Sequence, residues 1–232
     1  MGADTTPRLL SAIVLEPVVV VETRTELSVC LHPEERDYIA RAVDKRRAEF
    51  TTVRGCASWA LRALGHERPV QVPGRHGEPV WPRGVVGSMT HCAGYRAAAV
   101  APAEALDAIG IDAEPNAPLP DGVERQVASP EESRRCARLF AQHPQVCFDR
   151  LLFSIKESVY KAWFPLEGVW LGFEEAEVVI DPDGTFVVSL EAGGAGGSRY
   201  GGVWACSGET LVSALAVPRG RWRDPQNPDE RR

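Results

Sequence analysis

At 232 residues the chain has room for one large domain or two small lobes, and its 44% hydrophobic content supplies an ordinary packed core. A net charge of −6 argues against a general nucleic-acid binder, and the apolar run at residues 18–21 is far too short to cross a bilayer. The six cysteines, at positions 30, 56, 92, 136, 147 and 206, form no CxxC pair and fit no zinc spacing; with no cleavable signal pattern at the start, the expectation is reduced thiols in a soluble, cytoplasmic protein.

Residues 1–10 read as a loose start and 12–21 as a strand. His32-Pro33-Glu34-Glu35 opens a helix, with proline in the first turn and acids where the dipole favours them. Ile39, Val43 and Phe50 recur at near-helical spacing, and Val53, Ala57, Leu61 and Leu64 form a second stripe closed by Gly65. Residues 66–87, rich in Gly and Pro, read as an ordered loop; 95–101 and 107–114 read as two strands. After a linker at 115–122, Ser129-Pro130-Glu131-Glu132 is a capping box with proline at the first helical position. The next helix runs through Lys161 and is expected to stop before Pro165. Strands at 176–180 and 185–190 flank the turn Asp181-Pro182-Asp183-Gly184; 193–202 reads as a glycine-rich mobile loop, and strands at 203–207 and 211–217 close the fold. The pattern is α+β, with an N-terminal lobe over 1–115, a C-terminal lobe over 116–218 and a disordered tail over 219–232.

Two short segments carry the chemistry. In Gly110-Ile111-Asp112-Ala113-Glu114, strand alternation places Asp112 and Glu114 on one face and Ile111 and Ala113 on the other. In the helix that contains Phe153-Ser154-Ile155-Lys156-Glu157-Ser158-Val159-Tyr160-Lys161, the residues Phe148, Leu151, Leu152, Ile155, Val159 and Ala162 form an apolar stripe. Glu157 points away from that stripe, and Lys161 lies one turn further along the same side. Three carboxylates suit a hard cation such as Mg²⁺, and the lysine suits its phosphate partners. Taken singly, each has a plainer reading: a solvated strand face for Asp112 and Glu114, and an ordinary i,i+4 pair for Glu157 and Lys161.

Phosphate-binding candidates complete the set. Ser88, Thr90 and His91, in Gly87-Ser88-Met89-Thr90-His91-Cys92, offer donors beside a glycine that permits close backbone approach. Arg46 and Arg54 lie about two turns apart if their helix is continuous, so both forks project to similar sides. Taken alone, these arginines read equally as solvated, like the rest of the basic stretch Arg41, Lys45, Arg46, Arg47 and Arg54.

Together, Arg46 and Arg54, the segment Gly77-Glu78-Pro79-Val80-Trp81-Pro82 through Gly87–Cys92, Gly110–Glu114 and Phe153–Lys161 resemble the 4′-phosphopantetheinyl transferases. Within them the chain looks like the surfactin-synthetase-type class, in the branch with the enterobactin-synthetase and mycobacterial enzymes. The resemblance covers roughly residues 34–165 in the right order. It implies two similar α+β lobes in pseudo-twofold arrangement, with coenzyme A and Mg²⁺ in the cleft and a single chain, a monomer, sufficient for the site. It implies Asp112, Glu114 and Glu157 as metal ligands, Glu157 also as general base and Lys161 on the phosphates. Arg46, Arg54, His91, Ser88, Thr90 and Lys156 would contact coenzyme A. The family often has a lysine near the Gly-x-Pro turn; here the segment reads Arg75-His76-Gly77-Glu78-Pro79, which leaves the basic contact open between Arg75 and His76.

The reaction the resemblance implies moves phosphopantetheine to a serine of an apo acyl or peptidyl carrier protein, with docking expected on the segment 116–150. A noncatalytic coenzyme A or carrier-binding module of the same fold is the alternative. A nucleotide hydrolase lacks support, because neither GxxxxGK[ST] nor GxGxxG occurs.

Overall fold

The computed structural model describes residues 8–67, 69–191 and 198–222. Eight strands are present among them: β1 Val19–Thr23, β2 Val85–Cys92, β3 Tyr95–Pro102, β4 Leu106–Pro115, β5 Ala176–Asp181, β6 Thr185–Leu190, β7 Ser198–Ser207 and β8 Thr210–Pro218. The helices are α1 Leu10–Ile13, α2 Pro33–Ile39, α3 Asp44–Ala63, α4 Glu124–Val127, α5 Pro130–Gln142 and α6 Phe148–Glu167. The strands form two antiparallel sheets, one ordered β1-β3-β2 and the other β4-β8-β7-β6-β5. Each sheet carries one 20-residue helix, α3 on the first and α6 on the second. This is the mixed α+β architecture expected from the sequence.

The middle strand of the small sheet explains its alanine run. Ala97, Ala98, Ala99 and Ala101 are fully buried. Ala98 and Val100 meet α3 through Ala57, Cys56, Ala60 and Leu61, while Ala97, Ala99 and Ala101 face Ile109, Ile111 and Ala113 of β4. Larger side chains would separate helix, sheet and neighbouring sheet. Val53, Ala57 and Leu61 of the second stripe are buried on α3 together with Phe50 of the first, whereas Val43 is exposed just before the helix; α3 is unbroken, so Arg46 and Arg54 belong to one element.

Helix α6 sets the geometry of the larger half. Its stripe of Phe148, Leu151, Leu152, Ile155, Val159 and Ala162 is buried against β5, β6 and β8. Gly110 is what lets α6 lie on β4. A Cβ at that position would stand 1.8 Å from the carbonyl oxygen of Ser158 and 2.8 Å from the amide of Ala162. Backbone therefore meets backbone, at the residue next to Glu157.

Five sequence expectations are corrected. The strand expected over 12–21 is α1 followed by the later β1. Ser88, Thr90 and His91 do not follow a loop that ends at 87; they lie within β2, which starts at Val85. Helix α6 does not stop before Pro165. The missing N–H costs one bond in the last turn, the amide of Gly168 still reaches Phe164 O at 2.9 Å, and Gly168 caps the end at φ 67°. Residues 198–202 of the expected loop are β7, and 193–197 lie outside the described residues. Of the expected tail, Trp222 packs between Tyr200 and Trp163 and donates its indole N–H to Glu167 at 2.7 Å; 223–232 lie outside the described residues.

β4 falls on the N-terminal side of the boundary expected at 115 but pairs with β8 in the second sheet. Its free edge turns to β2, where side chains do the bonding. Ser88 Oγ accepts from Ile111 N at 3.1 Å and Thr90 Oγ1 accepts from Ala113 N at 3.0 Å. These hydroxyls stitch one sheet to the other. Among the described residues all six cysteines are free thiols, and no helix is long and apolar enough to cross a membrane.

Candidate active site

A cavity of about 310 Å³ opens between the two halves. The first half contributes Arg46, Phe50, Val53 and Arg54 from α3, the loop at 76–79, and 87–91 of β2. The second contributes Asp112 of β4 and Glu157, Tyr160, Lys161, Phe164 and Pro165 of α6. Seven residues singled out in the sequence therefore meet there: Arg46, Arg54, Ser88, Thr90, His91, Asp112 and Glu157, with Lys161 as an eighth.

Asp112 is 5% exposed, yet only one of its oxygens is bonded. Oδ1 accepts from Lys161 Nζ at 2.6 Å and from Thr90 Oγ1 at 3.2 Å. Oδ2 is buried without a hydrogen-bond partner. Glu157, half-buried, has its carboxyl pushed above the ordinary value by burial; Lys161 opposes the shift, and Asp112 and Glu114 add to it. Glu114 is raised for the same reasons, burial first and then Asp112, against the pull of Arg150. The charge of Asp112 thus reaches both glutamates.

The three carboxylates do not form a finished cage. Glu114 shares the strand face of Asp112 but turns to Arg150, whose Nη1 donates to it at 2.9 Å, and it does not line the cavity. Among the described residues no three His, Cys, Asp or Glu side chains gather as a metal cluster.

The α3 wall is cationic. Arg54 is buried; its Nε donates to Gln71 O at 3.3 Å, and its guanidinium lies over the Phe50 ring at 3.8 Å. Burial brings its pKa down to about 10, with Glu35 opposing and Arg46 adding to the fall. Arg46 donates to His91 Nε2 at 2.7 Å. From the 74–79 loop it is His76, not Arg75, that lines the cavity, with its ring edge against Phe164 at 5.3 Å.

Lys156 is placed elsewhere. Its ammonium is buried away from this cavity and donates at 2.8 Å each to Glu132 Oε2, Val127 O and Phe173 O. Residue 156 sits a third of a turn from Glu157, which is enough to swing it off the cavity and under α4 and α5.

Sequence reasoning missed Phe50, Tyr160, Phe164, Glu49 and Arg150. Glu49 follows Arg46 by three, so helical spacing placed it on the same side. Arg150 had no such signal, because its partners, Glu114 and the carbonyls of Ala117 and Pro118, come from the distant linker.

Comparisons with known proteins identify the family. A family model described as the 4′-phosphopantetheinyl transferase N-terminal domain matches residues 34–101, and the 4′-phosphopantetheinyl transferase superfamily model matches 108–210. The chain is 54% identical to the 4′-phosphopantetheinyl transferase Svp of Streptomyces mobaraensis, over 81% of this chain and 78% of that one. It is 46% identical to PptT of Mycobacterium tuberculosis (82% and 79% covered) and 44% identical to Npt of Nocardia iowensis (80% and 88% covered), both also 4′-phosphopantetheinyl transferases. A cavity with cations on one wall and carboxylates on the other, together with these matches, shows that the chain belongs to the 4′-phosphopantetheinyl transferase superfamily.

Proposed function

We propose that the chain transfers 4′-phosphopantetheine from coenzyme A to a serine of an apo carrier protein, with the cavity between the sheets as its active site. The observation that carries this reading is the meeting of Asp112, Glu157 and Lys161 in one cavity with Arg46, Arg54 and His91. The first three suit a pyrophosphate under displacement, and the second three suit a terminal phosphate monoester.

The donor set fits Mg²⁺. Asp112 and Glu157, the two candidate ligands that line the cavity, are oxygen donors, and Asp112 Oδ2 is buried and unpartnered; Glu114, the third, is held by Arg150. When bound, the ion screens the diphosphate charge and stabilises the charge that builds on the leaving oxygen. The rest is done by the chain. Arg54, held by Gln71 and Phe50, and Arg46 with His91 anchor the 3′-phosphate end. Ser88 and Thr90 line the same wall while clasping β4, so they fix Asp112 relative to the bound nucleotide.

Glu157, directly or through water, takes the proton of the carrier serine as its oxygen forms a bond to the β-phosphorus. The bond from that phosphorus to the bridging oxygen breaks, and 3′,5′-ADP leaves. Glu157 lines the cavity, off the buried stripe of α6, so its carboxylate stands in the space where that proton is released. Lys161 supplies an ammonium to the phosphate oxygens once it lets go of Asp112.

Carrier docking falls on the segment 116–150. Arg125, Arg134, Arg138 and Phe140 are exposed there, which gives an acidic chain a local basic and apolar surface, with Glu131 interspersed. Acidic carriers need such a surface.

Labelled coenzyme A, Mg²⁺ and a panel of apo carriers test the reading. Label on the carrier serine is the expected result, and Glu157→Gln lowers that transfer by about 10²–10⁴-fold with unchanged folding. Coenzyme A binding without transfer to any carrier would instead mark a noncatalytic module.

A further inference from the structure

Glu49 is a buried carboxylate that no step above uses, 8% exposed on α3 and one turn from Arg46. A carboxylate withdrawn from water needs a compensating partner. Among the described residues the ionisable group set against it is His91, whose Nδ1 lies 3.7 Å from Glu49 Oε2, an ion pair only when the ring is protonated. The other ring nitrogen, Nε2, is 2.7 Å from Arg46 Nη1. Arginine only donates, so Nε2 accepts, and in the neutral ring the proton sits on Nδ1, facing Glu49. The arrangement is a chain from carboxylate to imidazole to guanidinium, and its outer end lines the cavity.

We propose that Glu49 is a positioning residue for coenzyme A binding: its charge faces the Nδ1 side of the His91 ring across 3.7 Å, keeps Nε2 with Arg46 at the cavity, and favours the imidazolium when a phosphate arrives. A phosphate at Arg46 draws that guanidinium toward itself and leaves His91 Nε2 without its donor. The ring then gains most by taking a proton and donating to the phosphate, and the charge so created has its counterion already in place. The groups that face His91 are Glu49 and Arg46 from α3, Arg96 from β3 and Lys161 from α6. Burial, foremost, holds the His91 pKa below its ordinary value; Arg46, Lys161 and Arg96 act in the same direction, and Glu49 alone opposes them. Removing the Glu49 charge therefore disfavours the imidazolium, so affinity that depends on it disappears at lower pH than in the parent protein.

The inference rests on the cavity being the coenzyme A site. The test measures KM for coenzyme A across about pH 5.5–8.5 in the parent protein, Glu49→Gln, His91→Gln and the double variant, with NMR of the His91 ring nitrogens as a second readout. Glu49→Gln is expected to raise KM about fivefold to tenfold near neutrality, with kcat little changed. It also moves the rise of KM, and the protonation of the His91 ring followed by NMR, to lower pH. In the His91→Gln background the same change has no further effect. An equal loss in both backgrounds, or an unmoved pH profile and ring protonation, overturns the role of Glu49 alone. An unchanged KM in His91→Gln overturns the assignment of coenzyme A to this wall, and the inference with it.

Discussion

Lys156 and Lys161 share a helix and a motif but end in different environments. Lys161 stays half-exposed and reaches Asp112, whereas Lys156 is swallowed with Glu132, the two side chains 2% and 1% exposed. A lysine in such a place is fixed by what it holds. Glu132 also accepts from the amides of Ser129 and Val178 at 2.8 Å, so the pair ties the start of α5 and strand β5 to α6. Lys156→Met leaves Glu132 charged and dry, and it is expected to destabilise the fold by about 3–5 kcal/mol in urea unfolding. Glu132→Gln in the same chain should recover part of that loss. If Lys156→Met kept full stability but lost coenzyme A affinity, a contact with the ligand would be the better account. The motif spacing identified both lysines as candidates. It did not separate them, because the difference depends on α4 and α5 folding over one side of the helix, which is tertiary information.

At the scale of elements, glycine 110 controls the site more than any charged group does, because it decides how closely α6 approaches β4. Gly110→Ala drives a methyl into the Ser158 carbonyl, where backbone cannot yield as a side chain would. The expected cost is at least about 3 kcal/mol, the upper end for overpacking, read from the denaturant midpoint, with a matching fall in transfer as Glu157 and Lys161 shift from Asp112. A neutral effect would mean that the helix is not held at this distance. Strong periodicity made most elements legible in advance: the stripes of α3 and α6, the capping box at Ser129, where Glu132 N donates to Oγ at 3.2 Å, and the Asp181–Gly184 hairpin. Where local signals were weak or conflicted, packing decided. β2 begins inside a Gly/Pro-rich stretch because Val85 and Gly87 pack under Trp81 and beside β3; a Cβ on Gly87 would sit 2.7 Å from the Trp81 ring. Pro165 fails to end α6 because the helix is already anchored by its buried face, including Trp163, whose indole N–H reaches Val169 O at 3.1 Å.

For the whole molecule, the candidate cavity belongs to neither half alone. Cations from α3 and a strand of the small sheet meet carboxylates from β4 and α6, and the hydroxyls of Ser88 and Thr90 bridge the seam. Order and spacing pointed to Arg46, Arg54, Ser88, Thr90, His91, Asp112, Glu157 and Lys161, which line this cavity, but not to Phe50, Tyr160 and Phe164, which line it too. They did not reveal that Glu114 turns to Arg150 or that His76 rather than Arg75 lines the wall, since both depend on how loops cross between the sheets. The proposed carrier-docking surface also belongs to this scale. Charge reversal at Arg134 and Arg138, both about two-thirds exposed, should raise KM for an acidic carrier and weaken its salt dependence while KM for coenzyme A stays constant. Equal effects on both substrates would move docking elsewhere.

The most direct test of the account is a crystal structure with coenzyme A and Mn²⁺ in place of Mg²⁺, with the ion located by its anomalous signal. The account predicts a single strong peak bonded to Asp112 Oδ2 and to Glu157, with Lys161 moved from Asp112 to a phosphate oxygen. Coenzyme A bound with Asp112 still paired to Lys161, and the metal absent or held by other residues, would contradict it.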